Sequence, residues 1–208
     1  MIEIFGRRNS VNVQKVLWWC TELQLTFEVT EVGGPFGRTR EPWYIQMNPN
    51  ALVPVIRIDG FVLWESNAIL RYLDGSYREG ALRVEDARQR AIADQWMDWA
   101  SSVIMDRSRM PTVFIGLVRT PPAARDVEAI KRAADSMADA WRILDAHLAS
   151  EPFVAGGRFS VGDIPAGILA YRWFSMDLER PDMPNLRRWV DRLEARPAFR
   201  SQIAGPLT

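Results

Sequence analysis

The chain opens on an alternation. In "MIEIF", Ile2 and Ile4 fall on one side of Glu3, which predicts a short strand. "GRRNSVN" then supplies turn and cap residues ahead of an amphipathic run in which Val13, Val16, Leu17, Cys20 and Leu23 recur at helical spacing. "TFEVTEV" alternates again with Phe27 and Val29 on one face, so the opening reads strand, helix, strand. A loop carrying "GGPFG" leads to a short helix predicted over Pro42 to Met47. "PVIRI" and "FVLW" flank Asp59-Gly60, and Asp-Gly between two β-rich runs is a strong hairpin signal. A helix follows from "ESNAILRYL", with Ala68, Ile69, Tyr72 and Leu73 as its expected buried stripe.

The pattern changes near Ser76. "SYREGALRVED" is polar and has no clear period, and beyond it no convincing strand is found. A long helix is predicted over Ala124 to Ala149, with Val127, Ile130, Ala134, Met137, Trp141, Leu144 and Leu148 on one face. In "FSVGDIPAGILAYRWF", Ser160 and Asp163 stand three apart before an apolar run, as in a capping box. "PNLRRWVDRLEARPAF" predicts a final helix stopped before Pro197. The expected architecture is a small α/β domain in the order βαβ-ββα, followed by an all-α domain.

Composition narrows the function classes. A length of 208 residues and an apolar fraction of 48% suffice for a real core. Lys plus Arg and Asp plus Glu both number 26, so no long-range field favours nucleic acid or an anionic membrane. One Cys and one His exclude a disulfide framework and a Cys/His metal site, and no metal is expected. There is no signal-like start and no run of 18 apolar residues, which points to a cytoplasmic protein. Only Lys15 and Lys131 are lysines, a bias that reads as genomic base composition rather than chemistry.

Two stretches carry candidate chemistry. In "NPNALVPVI", Pro54 stands at the threshold of a β-branched run, and the local reading is a strand entrance where a missing N–H is tolerated. Glu65 and Ser66 open the following helix, where a carboxylate and a hydroxyl suit the free N–H groups and the positive end of the dipole. One of Asn9, Ser10 and Asn12 would cap the first helix in the same way.

Taken together, "NSVNVQKV", "NPNALVPVI", "WESNAILRYL", "FSVGDI" and "PNLRRWVDRL", in this order and spacing, resemble the cytosolic glutathione S-transferases over the whole chain. The likeness is to theta-, delta- and nu-like bacterial types with a Ser/Asn site. It implies a thioredoxin-like α/β domain over 1–77, a linker over 78–85 and an all-helical domain over 86–208 that forms the electrophile site. It further implies a cis Val53-Pro54 bond, with the Val53 backbone turned outward to pair with the cysteinyl backbone of glutathione. Glu65 would meet the γ-glutamyl ammonium and Ser66 its carboxylate. Arg38 or Arg40, with Arg40 preferred, would meet the glycyl carboxylate.

The resemblance assigns the thiolate donor to Ser10 in theta- and delta-like members, and to a Thr or Ser shared with an Asn two residues on in nu-like ones, which fits Ser10 and Asn12. With no Tyr or Cys in the first fifteen residues, the tyrosine- and cysteine-type sites are excluded. Cys20 falls on the apolar stripe and reads as a core thiol, and His147 as a surface or packing residue. Within "WMDWASSVIMDRSRMPTVF", Arg107 and Phe114 are the expected lining of the electrophile cleft. The implied function is conjugation of the glutathione thiolate to small hydrophobic electrophiles by a homodimer. The alternatives are glutathione-dependent disulfide or peroxide reduction, and non-catalytic glutathione binding.

Overall fold

The structure, a computed structural model, describes residues 1–77 and 86–207; the expected linker 78–85 lies outside them. Residue contacts divide the chain into one unit of Met1–Arg83 with Ser201–Ile203 and another of Val84–Arg200 with Ala204–Thr208.

The first unit is a four-stranded sheet in the order β2-β1-β3-β4. β1 (Ile2–Phe5) pairs parallel with β2 (Phe27–Thr30) and antiparallel with β3 (Val55–Ile58), which pairs antiparallel with β4 (Phe61–Trp64). The parallel pair requires a crossover, and α1 (Val11–Glu22) supplies it. Asp59 and Gly60 both have positive φ, 50° and 86°, as the tight turn between β3 and β4 demands. α2 (Pro42–Met47) has the expected bounds. α3 (Ser66–Tyr77) buries Ile69, Leu70 and Leu73; Leu70 is inside, whereas the expected Ala68 and Tyr72 are only half-buried.

α1 is more enclosed than its stripe predicts. Trp18 and Trp19 join Val13, Val16, Leu17 and Cys20 in the core, and so does Lys15. Large apolar side chains buried in this way contribute about 1.5–3 kcal/mol each, so α1 anchors the unit. Gly6, between β1 and α1, admits no side chain, because a Cβ there would lie 2.5 Å from Val13 and 3.4 Å from Val53. Glycine thus lets the mouth of α1 close on the Val53 turn.

The second unit is helical. α4 (Ala87–Trp99) runs on through a π-helical stretch, Ala100–Arg107. Arg109, in the left-handed region at φ 52°, breaks it before α5 (Met110–Phe114), and a second π stretch spans Ile115–Arg119. α6 (Val127–His147), α7 (Asp163–Ser175) and α8 (Pro184–Glu194) follow. Two expectations are corrected. Val127 is exposed, because α6 starts there and its inward stripe begins a turn later, with Ala133, Met137 and Trp141. Pro197 does stop α8, but it also opens α9 (Pro197–Gln202), since proline suits a first helical turn.

Asp163 organises this unit. Its carboxylate, fully buried, accepts from the backbone N–H of Val154 (3.0 Å) and Ser160 (2.9 Å), the Ser160 hydroxyl (3.2 Å) and the Trp189 indole N–H (2.9 Å). The Ser160/Asp163 spacing is therefore a capping arrangement in which the acid does the accepting and ties α7 to α8. Beside it, a Cβ on Gly162 would meet the Ala93 backbone at 2.8 Å, so α4 passes directly over this corner.

Candidate functional site

The loop before β3 is built around one carbonyl. Leu52 C=O accepts from the Tyr44 hydroxyl (2.7 Å) and the Asn48 amide (2.9 Å), while Asn48 Oδ1 accepts from Asn50 N–H (3.0 Å). Both supports are buried. The bond that follows, Val53-Pro54, is cis, and among the described residues the Val53 N–H and C=O enter no hydrogen bond. Val53 packs on the cluster of Phe5, Val32, Tyr44 and Val55. A rigidly held stretch of backbone is thus left with its donor and acceptor unspent, which is what an extended peptide needs for strand-like pairing.

At the mouth of α1, Ser10 is the N-cap residue by position, but its hydroxyl makes no capping bond. Of the neighbouring amides, Asn9 Oδ1 accepts from Arg7 (2.7 Å), and Asn12 Oδ1 from the Ser66 hydroxyl (3.4 Å). The Ser10 hydroxyl has no partner among the described residues, although the residue is only 8% exposed.

Glu65 and Ser66 open α3. Glu65 is exposed and sits at φ 70°, a left-handed conformation that costs a non-glycine residue about 1–2 kcal/mol. Its carbonyl starts the helix by accepting from Ile69 N–H (2.9 Å). Ser66 is buried, and its Oγ accepts from Lys15 Nζ at 3.3 Å. Lys15 also reaches Asn67 Oδ1 at 3.4 Å. Burial pushes its ammonium down to about 8, against the pull of Glu65 in the other direction. The scarcity of lysine gave no hint of this buried position. Lys15 stands one helical turn after Asn12, and both reach Ser66 at the start of α3.

The two arginines of the 33–40 loop differ. Arg38 pairs with Glu41 (3.7 Å) and lies over the Trp43 ring at 5.0 Å. Arg40 is exposed and has no partner among the described residues. In the helical unit, Phe114 is buried under Arg172 and Arg119, at 4.8 and 5.3 Å from its ring centroid. Arg107 lines a cleft of about 270 Å³ with Arg109, Thr112 and Arg132. Cys20 is fully buried with its thiol pushed up to about 12, as a core thiol should be. His147 packs on Trp96 at 4.8 Å and bonds the Val154 carbonyl (2.9 Å). Among the described residues no cluster of His, Cys, Asp and Glu is placed to hold a metal ion, and no helix is long and apolar enough to cross a membrane.

The family models for the glutathione S-transferase N-terminal domain and C-terminal domain match residues 9–76 and 92–197. The chain belongs to the glutathione S-transferase family. It is 40% identical to glutathione S-transferase GstB of Escherichia coli strain K12, over the full length of both. A maize relative, glutathione S-transferase 3, is 27% identical over 98% of this chain and 93% of its own. Among solved structures, the theta class glutathione S-transferase of Xanthomonas axonopodis pv. citri with glutathione bound is similar with a TM-score of 0.93. The identity to that glutathione S-transferase is 44%, covering 100% of this chain and 99% of the other. Its apo form is similar with a TM-score of 0.84.

Proposed function

We propose that the protein conjugates the thiolate of glutathione to small hydrophobic electrophiles, with residues 1–77 binding glutathione and residues 86–208 the electrophile. The observation that carries this is the pair of unspent polar groups in the first unit, the Ser10 hydroxyl and the Val53 backbone. The glutathione-bound relative at 44% identity supports the same ligand here.

A free thiol ionises near pH 8.5, so only a few per cent is thiolate at neutral pH. Lowering that value by about two units takes about 2.7 kcal/mol of preference for the anion. One hydroxyl donor supplies about 1.5–3 kcal/mol to a charge, and the N-terminus of α1 adds to it. Ser10, with its donor uncommitted, is the group for that work. Asn12 shares it only through its amide Nδ2, since its oxygen is engaged by Ser66. Val53, after which Pro54 sets the turn, takes the cysteinyl backbone. Glu65 and Ser66 take the γ-glutamyl end, and Arg40, free to move a guanidinium onto a carboxylate, takes the glycyl end. Held in this way, the sulfur attacks with the advantage of proximity.

Retention on immobilised glutathione, followed by assays with an aryl halide and with a mixed disulfide, tests the reading. Turnover of the halide is expected; turnover of the disulfide alone would favour a reductase, and retention without turnover a binding protein. We place the protein in the cytoplasm, in detoxification, as a two-fold homodimer. The exposed Leu52, Phe61 and Trp64 of the first unit are apolar surface for a second copy to cover. Sedimentation at micromolar concentration should give about twice the single-chain mass; a value of 23.8 kDa would overturn the dimer.

A further inference from the structure

Lys15 is a buried cation beneath the opening of α3, only 3% exposed. An ammonium can only donate, so at 3.3 Å it claims a lone pair of Ser66 Oγ. The Ser66 proton must then point elsewhere, and in the free protein it points to Asn12 Oδ1 at 3.4 Å. Asn67 Oδ1, at 3.4 Å, takes a second ammonium proton. These partners are all neutral. Glu65 is the charge that acts on Lys15, and it is exposed, so water screens it. The other ionisable groups on these elements are Arg71, Tyr72, Asp74 and Tyr77 farther along α3, Cys20 and Glu22 toward the far end of α1, and Arg7 and Arg8 in the turn before it. A buried charge without a close counter-ion is costly. The helix N-terminus in front of it adds more positive potential rather than relieving it. What the cluster lacks is an anion at Ser66.

We propose that Lys15 is a positioning residue for glutathione: it fixes the Ser66 hydroxyl as a donor toward the γ-glutamyl carboxylate and is the buried counter-charge to that carboxylate. This rests on the reading of Ser66 as the carboxylate's receptor. Because the free ammonium is held down to about 8 and an arriving anion favours its charged form, glutathione binding should take up a proton above that pH. Affinity should accordingly fall as pH rises through 8, by up to about tenfold per unit until the bound-state value is reached.

Lys15 and Lys131 are the sole lysines, so a protein labelled at the lysine Cε gives a two-signal carbon spectrum. The exposed Lys131 is its internal reference. The probe is S-methylglutathione, which has no thiol to titrate. The Lys15 signal should titrate near pH 8 in the free protein and at least about one unit higher when saturated. An identical titration with and without bound probe would overturn the proposal. If wild type does not bind the probe at all, the glutathione reading itself fails. Calorimetry from pH 6.5 to 9.5 gives the independent check. Lys15→Met should bind about tenfold more weakly at pH 6.5. Lys15→Arg stays charged throughout, so it should not show the wild type's fall above pH 8. Parallel pH profiles for wild type and Lys15→Arg would also overturn the proposal.

Discussion

Replacing Ser10 with alanine should raise the pKa of the bound glutathione thiol by about 1 to 2 units, equal to about 1.4–2.7 kcal/mol of lost preference for the thiolate. The tripeptide's other contacts do not involve the sulfur, so its dissociation constant near neutral pH should change far less. The rate with an aryl halide should fall most at low pH and recover toward pH 9.5, where the thiol ionises unaided. Asn12→Ala should show a different signature. Its carboxamide oxygen holds the Ser66 hydroxyl, so the loss should appear mainly in glutathione affinity, with a smaller shift of the thiol. Ultraviolet titration of the thiolate in complexes of the wild type, both single variants and the double separates the two. If the pKa moves only in Asn12→Ala, the roles are reversed. If it moves in none, the helix N-terminus alone holds the sulfur.

The second large effect lies far from chemistry. Asp163→Ala should destabilise the protein by about 3–5 kcal/mol, because it strands four donors in the interior. Against a total of about 5–15 kcal/mol, that is enough to lower the urea midpoint sharply or abolish soluble expression. Asp163→Asn should rescue little, since its amide would turn two protons toward backbone and indole N–H groups that already donate. The pH dependence has a definite sign. Burial pushes the Asp163 carboxyl up to about 6, while its four donors pull it back. With the folded value above the unfolded 3.8, the folded protein binds the extra proton between those values, so this group's contribution declines as pH rises from about 4 to 6 and is level above. Urea midpoints of wild type at pH 5 and 7 check it: Asp163 should not be a source of acid lability. An unfolding free energy for Asp163→Ala within about 0.5 kcal/mol of wild type would sink the structural role.

Much of the sheet was legible because its signals are local. A two-residue alternation, an Asp-Gly pair and a proline-initiated turn each act within a few residues, and β1 to β4, α1 and α2 follow them. The site residues were legible only through their resemblance to a family, since Ser10, Glu65 and Ser66 read equally well as helix caps. The structure separates those readings for Ser10, whose hydroxyl caps nothing. Lys15 was missed because its partner Ser66 lies 51 residues away, and no local period marks a cation that will be enclosed. Asp163 was half seen: Ser160 is a neighbour in the chain, whereas Trp189 is 26 residues on. The π stretches at Ala100–Arg107 and Ile115–Arg119 left no trace either. A π turn adds a residue within a helix, and apolar spacing tolerates that addition without announcing it.

The enclosure of Cys20 bears on how the protein lives with the thiol it is proposed to handle. Proteins bathed in glutathione are prone to mixed disulfides, and those meeting reactive electrophiles or peroxides are prone to alkylation and sulfenic acid formation at accessible thiolates. Here the sole cysteine is fully buried on α1, with its sulfur held protonated well beyond neutral pH. It offers no foothold to any of these reagents while the fold is intact. The protein can therefore stand in a stream of oxidants and alkylating agents without recording them, and a covalent adduct at Cys20 would report that α1 had come away from its core.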